Sequence, residues 1–179
     1  PMQAAVGISN VNAAVAVADL LAERGYQRPG YIGAWSERPD RSKARRLAFE
    51  TRLAALGIPL VDKEIAQRPA SAEVGAQTTE VLLARSPQID AIFFANDDQA
   101  LGALFHCQRT GRKVPEDVGL IGFNGIDIGR ATPTVLASVV TPRYQMGVQT
   151  AQLLLSAADN PSERRMVDLG FEIRLGESI

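Results

Sequence analysis

The amino-acid sequence predicts an α/β fold in which a mainly parallel sheet is covered by helices. Short apolar runs alternate along the chain with longer segments in which apolar residues recur every three or four positions. The short runs are typical of strands, and the longer segments are typical of amphipathic helices. Because strand and helix follow each other in turn, each helix is predicted to connect two parallel strands, which is the pattern of an α/β domain.

Eight segments are predicted to be strands, because each is a short and mainly apolar run bounded by glycine, proline or polar residues. In chain order they are 4–8, 30–34, 61–66, 91–95, 118–123, 136–140, 166–169 and 172–175. The clearest is Ala91-Ile-Phe-Phe-Ala95, which has no polar alternation. A run of this kind is predicted to be buried on both faces of the sheet.

Five segments between these strands have helical periodicity. They are 10–24, 43–56, 71–83, 97–110 and 145–156. The first is predicted to be capped by Asn10 and to stop at Gly25, and the second follows a polar loop at 35–42. The fourth begins directly after the clearest strand, with Asn96 or Asp97 as its cap, and ends at Gly111.

Composition excludes several classes of function. A hydrophobic content of 46% provides enough apolar mass for a core, and a net charge of −1 creates no basic field for nucleic acid. One cysteine and one histidine leave no internal disulfide and few options for a zinc site or catalytic triad. No glycine-rich phosphate loop is visible, so nucleotide binding through such a loop is not predicted. No metal and no cofactor are predicted. The absence of a signal peptide or long apolar run predicts a cytoplasmic protein and no membrane partner.

Asp97 lies where open α/β sheets bind ligands, directly after a buried strand at its carboxyl end. A buried carboxylate is costly unless it is paired with a cation or with several donors. Asp97 is therefore predicted to accept hydrogen bonds from a small ligand. The alternative is a helix cap, because an aspartate at a helix N-terminus also satisfies free backbone amides.

Several segments, taken in order and spacing, resemble the effector-binding domain of LacI/GalR-type transcriptional regulators. They are Asn96-Asp97-x-x-Ala-x-Gly102, Arg112-Lys-Val-Pro-Glu-Asp-Val118, Ile121-Gly-Phe-Asn124, Thr132-Pro133 and Ser138-Val-Val-Thr-Pro142. Within this family the chain is most similar to gluconate-operon repressors. That similarity is carried by Phe105-x-Cys107-Gln-Arg109, Asp127-Ile-Gly129, Leu136-Ala-Ser138, Thr141-Pro-Arg143, Met146-Gly147 and Asp168-Leu-Gly-Phe171. The resemblance covers essentially all 179 residues.

The resemblance implies a periplasmic-binding-protein-like fold with two lobes and a sugar or sugar-acid effector, such as gluconate, between them. The carboxyl-side lobe is expected at 29–124 and 162–179, and an incomplete amino-side lobe at 1–28 and 125–161. The sheet of that smaller lobe is expected to contain strands 4–8 and 136–140, and helices 10–24 and 145–156 are expected to leave apolar faces uncovered beside it. The helix-turn-helix head that reads operator DNA is expected to precede Pro1.

The resemblance also implies roles for single residues. Arg45 matches the family's effector-binding arginine, with Arg41 second and Arg46 possible if the register differs by one; the other basic residues nearby, including Arg38, are expected to be solvated. Further effector contacts are expected at Asp97, Asn10, Asn96, Trp35, Phe123 and Asn124, and many relatives carry Asp where Asn124 stands. Helix 97–110 is expected at the interface of a homodimer, through Ala103, Leu104, His106 and Cys107.

Two other functions share parts of this pattern. A solute-binding protein of a sugar transporter has the same fold, but it would be secreted and monomeric. An α/β enzyme could use Asp97 as a base, but the sequence has no nucleophile–histidine pair, metal cluster or phosphate loop to support it. A regulator that is not an enzyme is therefore the preferred interpretation.

Overall fold

A computed structural model describes residues 4–35, 40–159 and 165–179, and Arg38 and the middle of the 35–42 loop lie outside these ranges. The described residues form an α/β fold, as predicted. The elements are β1 (Ala4–Gly7), α1 (Asn10–Glu23), β2 (Pro29–Gly33), α2 (Asp40–Ala55), β3 (Asp62–Ile65), α3 (Ala72–Arg85), β4 (Ala91–Phe94), α4 (Asp97–Thr110), β5 (Gly119–Asn124), a 3-10 turn (Asp127–Arg130), β6 (Ala137–Val140), α5 (Arg143–Asp159), β7 (Arg165–Asp168) and β8 (Glu172–Arg174). None of these helices combines the length and the apolarity that a membrane crossing requires.

The strands form two sheets. The larger sheet has the order β3-β2-β4-β5-β6-β8, and its strands are parallel except for β8, which runs antiparallel to β6. The smaller sheet consists of β1 and β7 in parallel, with Ala5 opposite Met166. The parallel strands of the larger sheet end at one edge, so the loops that follow them converge there.

The prediction that strands 4–8 and 136–140 belong to the same small sheet is wrong. β6 lies inside the larger sheet between β5 and β8, and β7 takes its place beside β1. The reason is burial, because Ala137 and Val139 belong to the core on one face of the sheet while Leu136 belongs to the core on the other. A strand buried on both faces needs a sheet that is covered on both sides. The two-stranded sheet cannot provide this.

Each face of the larger sheet has its own apolar core. On one face α1 and α2 cover an aromatic cluster in which the ring centroids of Phe49 and Phe93 are 5.0 Å apart and those of Tyr31 and Phe93 are 5.7 Å apart. Val17 and Leu21 of α1 are fully buried in this core. The expectation that α1 leaves its apolar face uncovered is therefore wrong. α5 does leave large apolar side chains uncovered, since Leu155 is 76% exposed.

The caps of two helices can now be assigned; the cap of α1 differs from the prediction, and the cap of α4 is one of the two predicted residues. Ser9, not Asn10, caps α1, because the Ser9 side chain accepts a hydrogen bond from the Asn12 amide at 3.1 Å. Asn10 is therefore the first residue of the helix, and its side chain is not used as the cap. At α4 the cap is Asn96, whose Oδ1 accepts from the Gln99 amide at 2.9 Å.

The predicted dimer-interface residues lie in the interior of the chain. Ala103, Leu104 and Cys107 are fully buried in the core between α3, α4 and the sheet, and His106 is also buried. The apolar residues of α4 that were predicted at a subunit interface are therefore used inside the protomer, in the core that α4 shares with α3 and the sheet. The neighbouring Phe105 is 47% exposed and is the large apolar side chain that α4 presents to solvent.

Close packing of α3 on α4 predicts that Gly102→Ala is destabilising. A Cβ at Gly102 would overlap the backbone carbonyl oxygen of Ala72, which cannot rotate away. We expect a loss of about 1–3 kcal/mol in the free energy of unfolding, because the two helices must separate. Gly147→Ala in α5 is the matched control, since a Cβ there meets nothing within 4 Å. Urea denaturation should show a loss for Gly102→Ala alone, and equal stability of the two variants would contradict this packing.

Candidate functional site

A cleft of about 510 Å³ lies at the carboxyl edge of the larger sheet. Its floor comes from the ends of β2, β4 and β5 and from the first turns of α2, while the end of β1 and the start of α5 form the opposite wall. The lining residues are Val6, Gly7, Ile8, Asn10, Ala34, Trp35, Arg41, Ser42, Arg45, Ala95, Asn96, Phe123, Asn124, Thr141, Arg143 and Met146. Volumes between about 300 and 1,000 Å³ are usual for small-molecule sites.

The structure brings seven of the eight predicted effector residues into this one cleft. They are Asn10, Trp35, Arg41, Arg45, Asn96, Phe123 and Asn124. They come from five separate places in the sequence. Most of them meet because the segments that follow the parallel strands of the larger sheet converge at one edge, while Asn10 comes from the segment that follows β1 of the smaller sheet. Their contact with an effector stays a prediction.

Asp97 is the exception, because its carboxylate faces away from the cleft. It is 0% exposed, and its two oxygens accept hydrogen bonds from Ser138 Oγ at 2.6 Å and from the Ile126 amide at 2.7 Å. Burial raises the pKa of Asp97 above its usual range, although these two hydrogen bonds act in the opposite direction. The protein itself therefore supplies the donors that we expected from a ligand.

Neighbouring residues of β5 show that Asp97 and Arg45 lie on opposite faces of the sheet. Successive strand residues point to opposite faces. A Cβ at Gly122 would overlap Asp97 Oδ1, whereas the guanidinium carbon of Arg45 lies 3.5 Å from the centroid of the Phe123 ring. The prediction that both side chains face one cleft is therefore wrong, and Arg45 alone does so.

Arg45 is a buried cation without a carboxylate partner in the part of the chain that the structure describes. Its residue is 8% exposed, Nη1 donates to the Ala95 carbonyl oxygen, and Nε has no hydrogen-bond partner among the described residues. Burial lowers the pKa of Arg45 to about 10, so the side chain still carries its charge at neutral pH. An unneutralised guanidinium at a cleft favours an anionic ligand, since its planar fork donates two parallel hydrogen bonds to a carboxylate.

Asn124 is held in an unusual backbone conformation at the end of β5. Its φ angle is 111°, a region that residues other than glycine seldom adopt. The carbonyl oxygen of Asn124 accepts hydrogen bonds from the backbone amide of Thr141 at 3.4 Å and from Thr141 Oγ1 at 3.2 Å. Such strain costs on the order of 1–3 kcal/mol and persists where the surrounding contacts enforce it.

The other polar side chains of the cleft differ in how many of their hydrogen-bonding groups are already used within the protein. Asn96 uses its side chain to cap α4 and also donates from Nδ2 to Gln99 Oε1 at 3.0 Å. Among the described residues, the side-chain Nδ2 of Asn10 donates one long hydrogen bond, of 3.5 Å, to the Ile8 carbonyl oxygen. Trp35 is 42% exposed beside the entrance, where its ring can cover the apolar face of a sugar.

Three polar lining residues were missed by the site prediction, namely Ser42, Thr141 and Arg143. A signal for two of them was present, because Thr141-Pro-Arg143 directly follows β6 and therefore belongs to the same carboxyl edge as the other site residues. Placing strand 136–140 in the wrong sheet hid that relation. Ser42 lies in the segment that the sequence analysis treated as a loop but that begins α2. Within the described ranges no group of three His, Cys, Asp or Glu side chains could hold a metal ion.

The fold and the cleft define a class of ligand-binding domain, in which a parallel sheet carries a small-molecule site at its carboxyl edge and the chain crosses to a second sheet beside it. The sequence profile of the periplasmic binding protein-like domain family matches residues 18–179, and the chain belongs to that family. The relatives described below are transcriptional regulators, and similar solved structures include LacI-family regulators. The chain is 35% identical over 176 residues to the HTH-type transcriptional regulator GntR of Escherichia coli K12, covering 98% of this chain and 52% of that protein.

Two further relatives agree with this assignment. The HTH-type transcriptional regulator GntR of Pseudomonas aeruginosa is 38% identical over 175 residues, which cover 97% of this chain and 50% of that protein. The crystal structure of the transcription regulator GntR from Chromobacterium violaceum superposes with a TM-score of 0.85 at 35% identity, covering 97% of this chain and 64% of that one. The chain thus spans about half the length of the curated relatives it matches.

Proposed function

We propose that this chain is the effector-sensing part of a LacI-type transcriptional regulator and that its effector is a small sugar acid such as gluconate. The observation that carries the proposal is the buried, unneutralised charge of Arg45 at the cleft. A neutral sugar would leave this charge without a partner, whereas the carboxylate of a sugar acid would neutralise it. Arg41 and Arg143 on the same cleft add positive charge.

The rest of the lining suits a polyhydroxylated chain. Asn10, Asn124, Ser42 and Thr141 can donate and accept hydrogen bonds, which is what sugar hydroxyls require. The side chain of Asn124 is a neutral amide, so it does not compete with an anionic effector for Arg45. A carboxylate at that position, as in many members of the family that the sequence resembles, would neutralise part of the positive charge.

The switch follows from the position of the cleft between the two sheets. An effector that contacts both walls binds the closed arrangement more tightly than the open one, and only this difference in affinity can shift the balance. We propose that the unit of β1, β7 and α5 is the amino-side part of this clamp. Its movement would reposition DNA-binding heads that are not part of this chain, and the regulator would act without being an enzyme.

We also propose that the regulator is a homodimer in which α4 contributes its exposed surface around Phe105. The support is the resemblance to the family together with the exposure of a large aromatic side chain on that helix. A solute-binding protein of a transporter remains the second candidate on fold alone. The relatives described above are transcriptional regulators, which favours the first.

Calorimetric titration of the protein with gluconate and with glucose tests the effector class. We expect gluconate to bind and glucose to bind at least about tenfold more weakly, since only the acid neutralises Arg45. Trp35, the only tryptophan of the chain, offers a fluorescence readout of the same event. Equal affinity for gluconate and glucose would contradict the proposal that the effector is a sugar acid. If neither of them binds, the proposed function itself is contradicted.

A further inference from the structure

We propose that Asp97 is a positioning residue, which together with Ser138 holds the turn that places Asn124 in the cleft. The role that this assigns to Asn124 rests on the proposed function. The structural part of the proposal does not, because it concerns the hydrogen bonds that fix the backbone after β5.

The two backbone amides that follow Asn124 donate hydrogen bonds to Ser138 and Asp97. The Gly125 amide donates to Ser138 Oγ at 3.1 Å, and the Ile126 amide donates to Asp97 Oδ2 at 2.7 Å. The Ser138 hydroxyl in turn donates to Asp97 Oδ1 at 2.6 Å, which joins the two acceptors into one unit. Both side chains are fully buried, so water does not compete for these bonds.

The turn needs this support because it leaves the sheet in a strained conformation. Asn124 and Gly125 have φ angles of 111° and 69°, so the chain turns sharply at the last residue of β5. The amides beyond that point have no strand partner, and a buried amide without a partner is costly. Thr141 holds the carbonyl side of Asn124, and Asp97 with Ser138 holds the amide side of the turn.

The cost of burying Asp97 also favours a positioning role. Among the described residues no cation forms an ion pair with it, and Arg174 is the nearby charge that favours its ionised form. The space for the carboxylate exists only because residue 122 is glycine, since a Cβ there would overlap Oδ1. The carboxylate accepts from the Ile126 amide of the turn and from Ser138 of β6, so it ties the turn to the neighbouring strand.

Ser138→Ala and Ser178→Ala form a matched pair that tests this role. Both hydroxyls are fully buried and both link β5 to β6, but Ser178 does so at the amino edge, donating to the Leu120 carbonyl oxygen at 2.6 Å and accepting from the Ala137 amide at 2.8 Å. We expect Ser138→Ala alone to speed hydrogen exchange at the Gly125 and Ile126 amides and to weaken gluconate binding about five- to tenfold. An equal effect of Ser178→Ala on binding would reduce Asp97 and Ser138 to a general role in stability and overturn the proposal.

A double-mutant cycle tests whether Asp97 acts through Asn124. Asp97→Asn should lower gluconate affinity about tenfold in the parent protein and should have little further effect once Asn124→Ala is present. Independent, additive losses would overturn the proposal. If the parent does not bind gluconate, the proposed function fails while the exchange rates at Gly125 and Ile126 still decide the structural part; unchanged exchange in Ser138→Ala and Asp97→Asn overturns that part too.

Discussion

Arg45→Ala is expected to weaken gluconate binding by about 2–5 kcal/mol, the usual consequence of removing one partner of a buried charge pair. The guanidinium is buried against the Phe123 ring, and no carboxylate of the described residues shares its charge. Its full attraction is therefore available to a ligand in a site where water screens little. Calorimetry on the variant should show a loss between about thirtyfold and several thousandfold, while glucose binding should change much less.

Arg46→Ala is the matched control for this prediction. Arg46 is the next residue of α2, and its Nη1 is already paired with Glu50 at 2.8 Å, so its charge is used within the protein. We expect its removal to leave gluconate affinity unchanged. Arg45→Lys should recover only part of the affinity, because an ammonium group keeps the charge but not the planar fork. If Arg46→Ala lost more gluconate affinity than Arg45→Ala, Arg46 would be the effector-binding arginine, as in the alternative register that the sequence left open.

Most residues of the candidate site were named through the resemblance to the family, and their meeting in one cleft agrees with a rule that operates at the level of strand order. Trp35, Asn96 and Asn124 lie at the carboxyl ends of β2, β4 and β5, and residues at the carboxyl ends of parallel strands meet at one edge of the sheet. The choice between Asn96 and Asp97 could not be made in the same way. These are adjacent residues at the start of one helix, and which of them faces the cleft depends on a turn of about 100° per residue.

A signal for the true position of Asp97 was nevertheless present on another strand. Gly122 lies next to Phe123 in β5, and a glycine in a buried strand indicates that another group approaches closely on that side. To infer that Asp97 fills the space beside Gly122, one must know that α4 packs over β5, which is a tertiary contact. Local sequence patterns do not contain it.

The same limit explains the misplaced strand. The run Leu136-Ala-Ser-Val-Val140 has no polar alternation, which indicates burial on both faces and hence the interior of a covered sheet. The resemblance to the family favoured the smaller lobe instead. β7, by contrast, is not buried on both faces, since Met166 is largely exposed, and this strand lies in the small sheet.

Leu104→Glu and Phe105→Glu are expected to have opposite consequences although they are adjacent in α4. Leu104 is fully buried in the core between α4 and the sheet, so a carboxylate there would have to be neutralised or would unfold its surroundings. We expect a loss of about 3–5 kcal/mol or more, a large share of the 5–15 kcal/mol that is usual for a folded domain. Thermal unfolding followed by circular dichroism should show a strongly lowered or absent transition.

Phe105→Glu should leave the unfolding transition of each protomer nearly unchanged, because about half of the Phe105 surface is already in contact with solvent. If the exposed surface of α4 forms the dimer interface, the same substitution introduces an unpaired charge at that interface and separates the subunits, which light scattering would detect as a halved mass. A dimeric Phe105→Glu variant would place the interface elsewhere on the molecule. A folded, monomeric Leu104→Glu variant would instead restore Leu104 to the interface, where the sequence alone had placed it, and would contradict the packing of α4 described above.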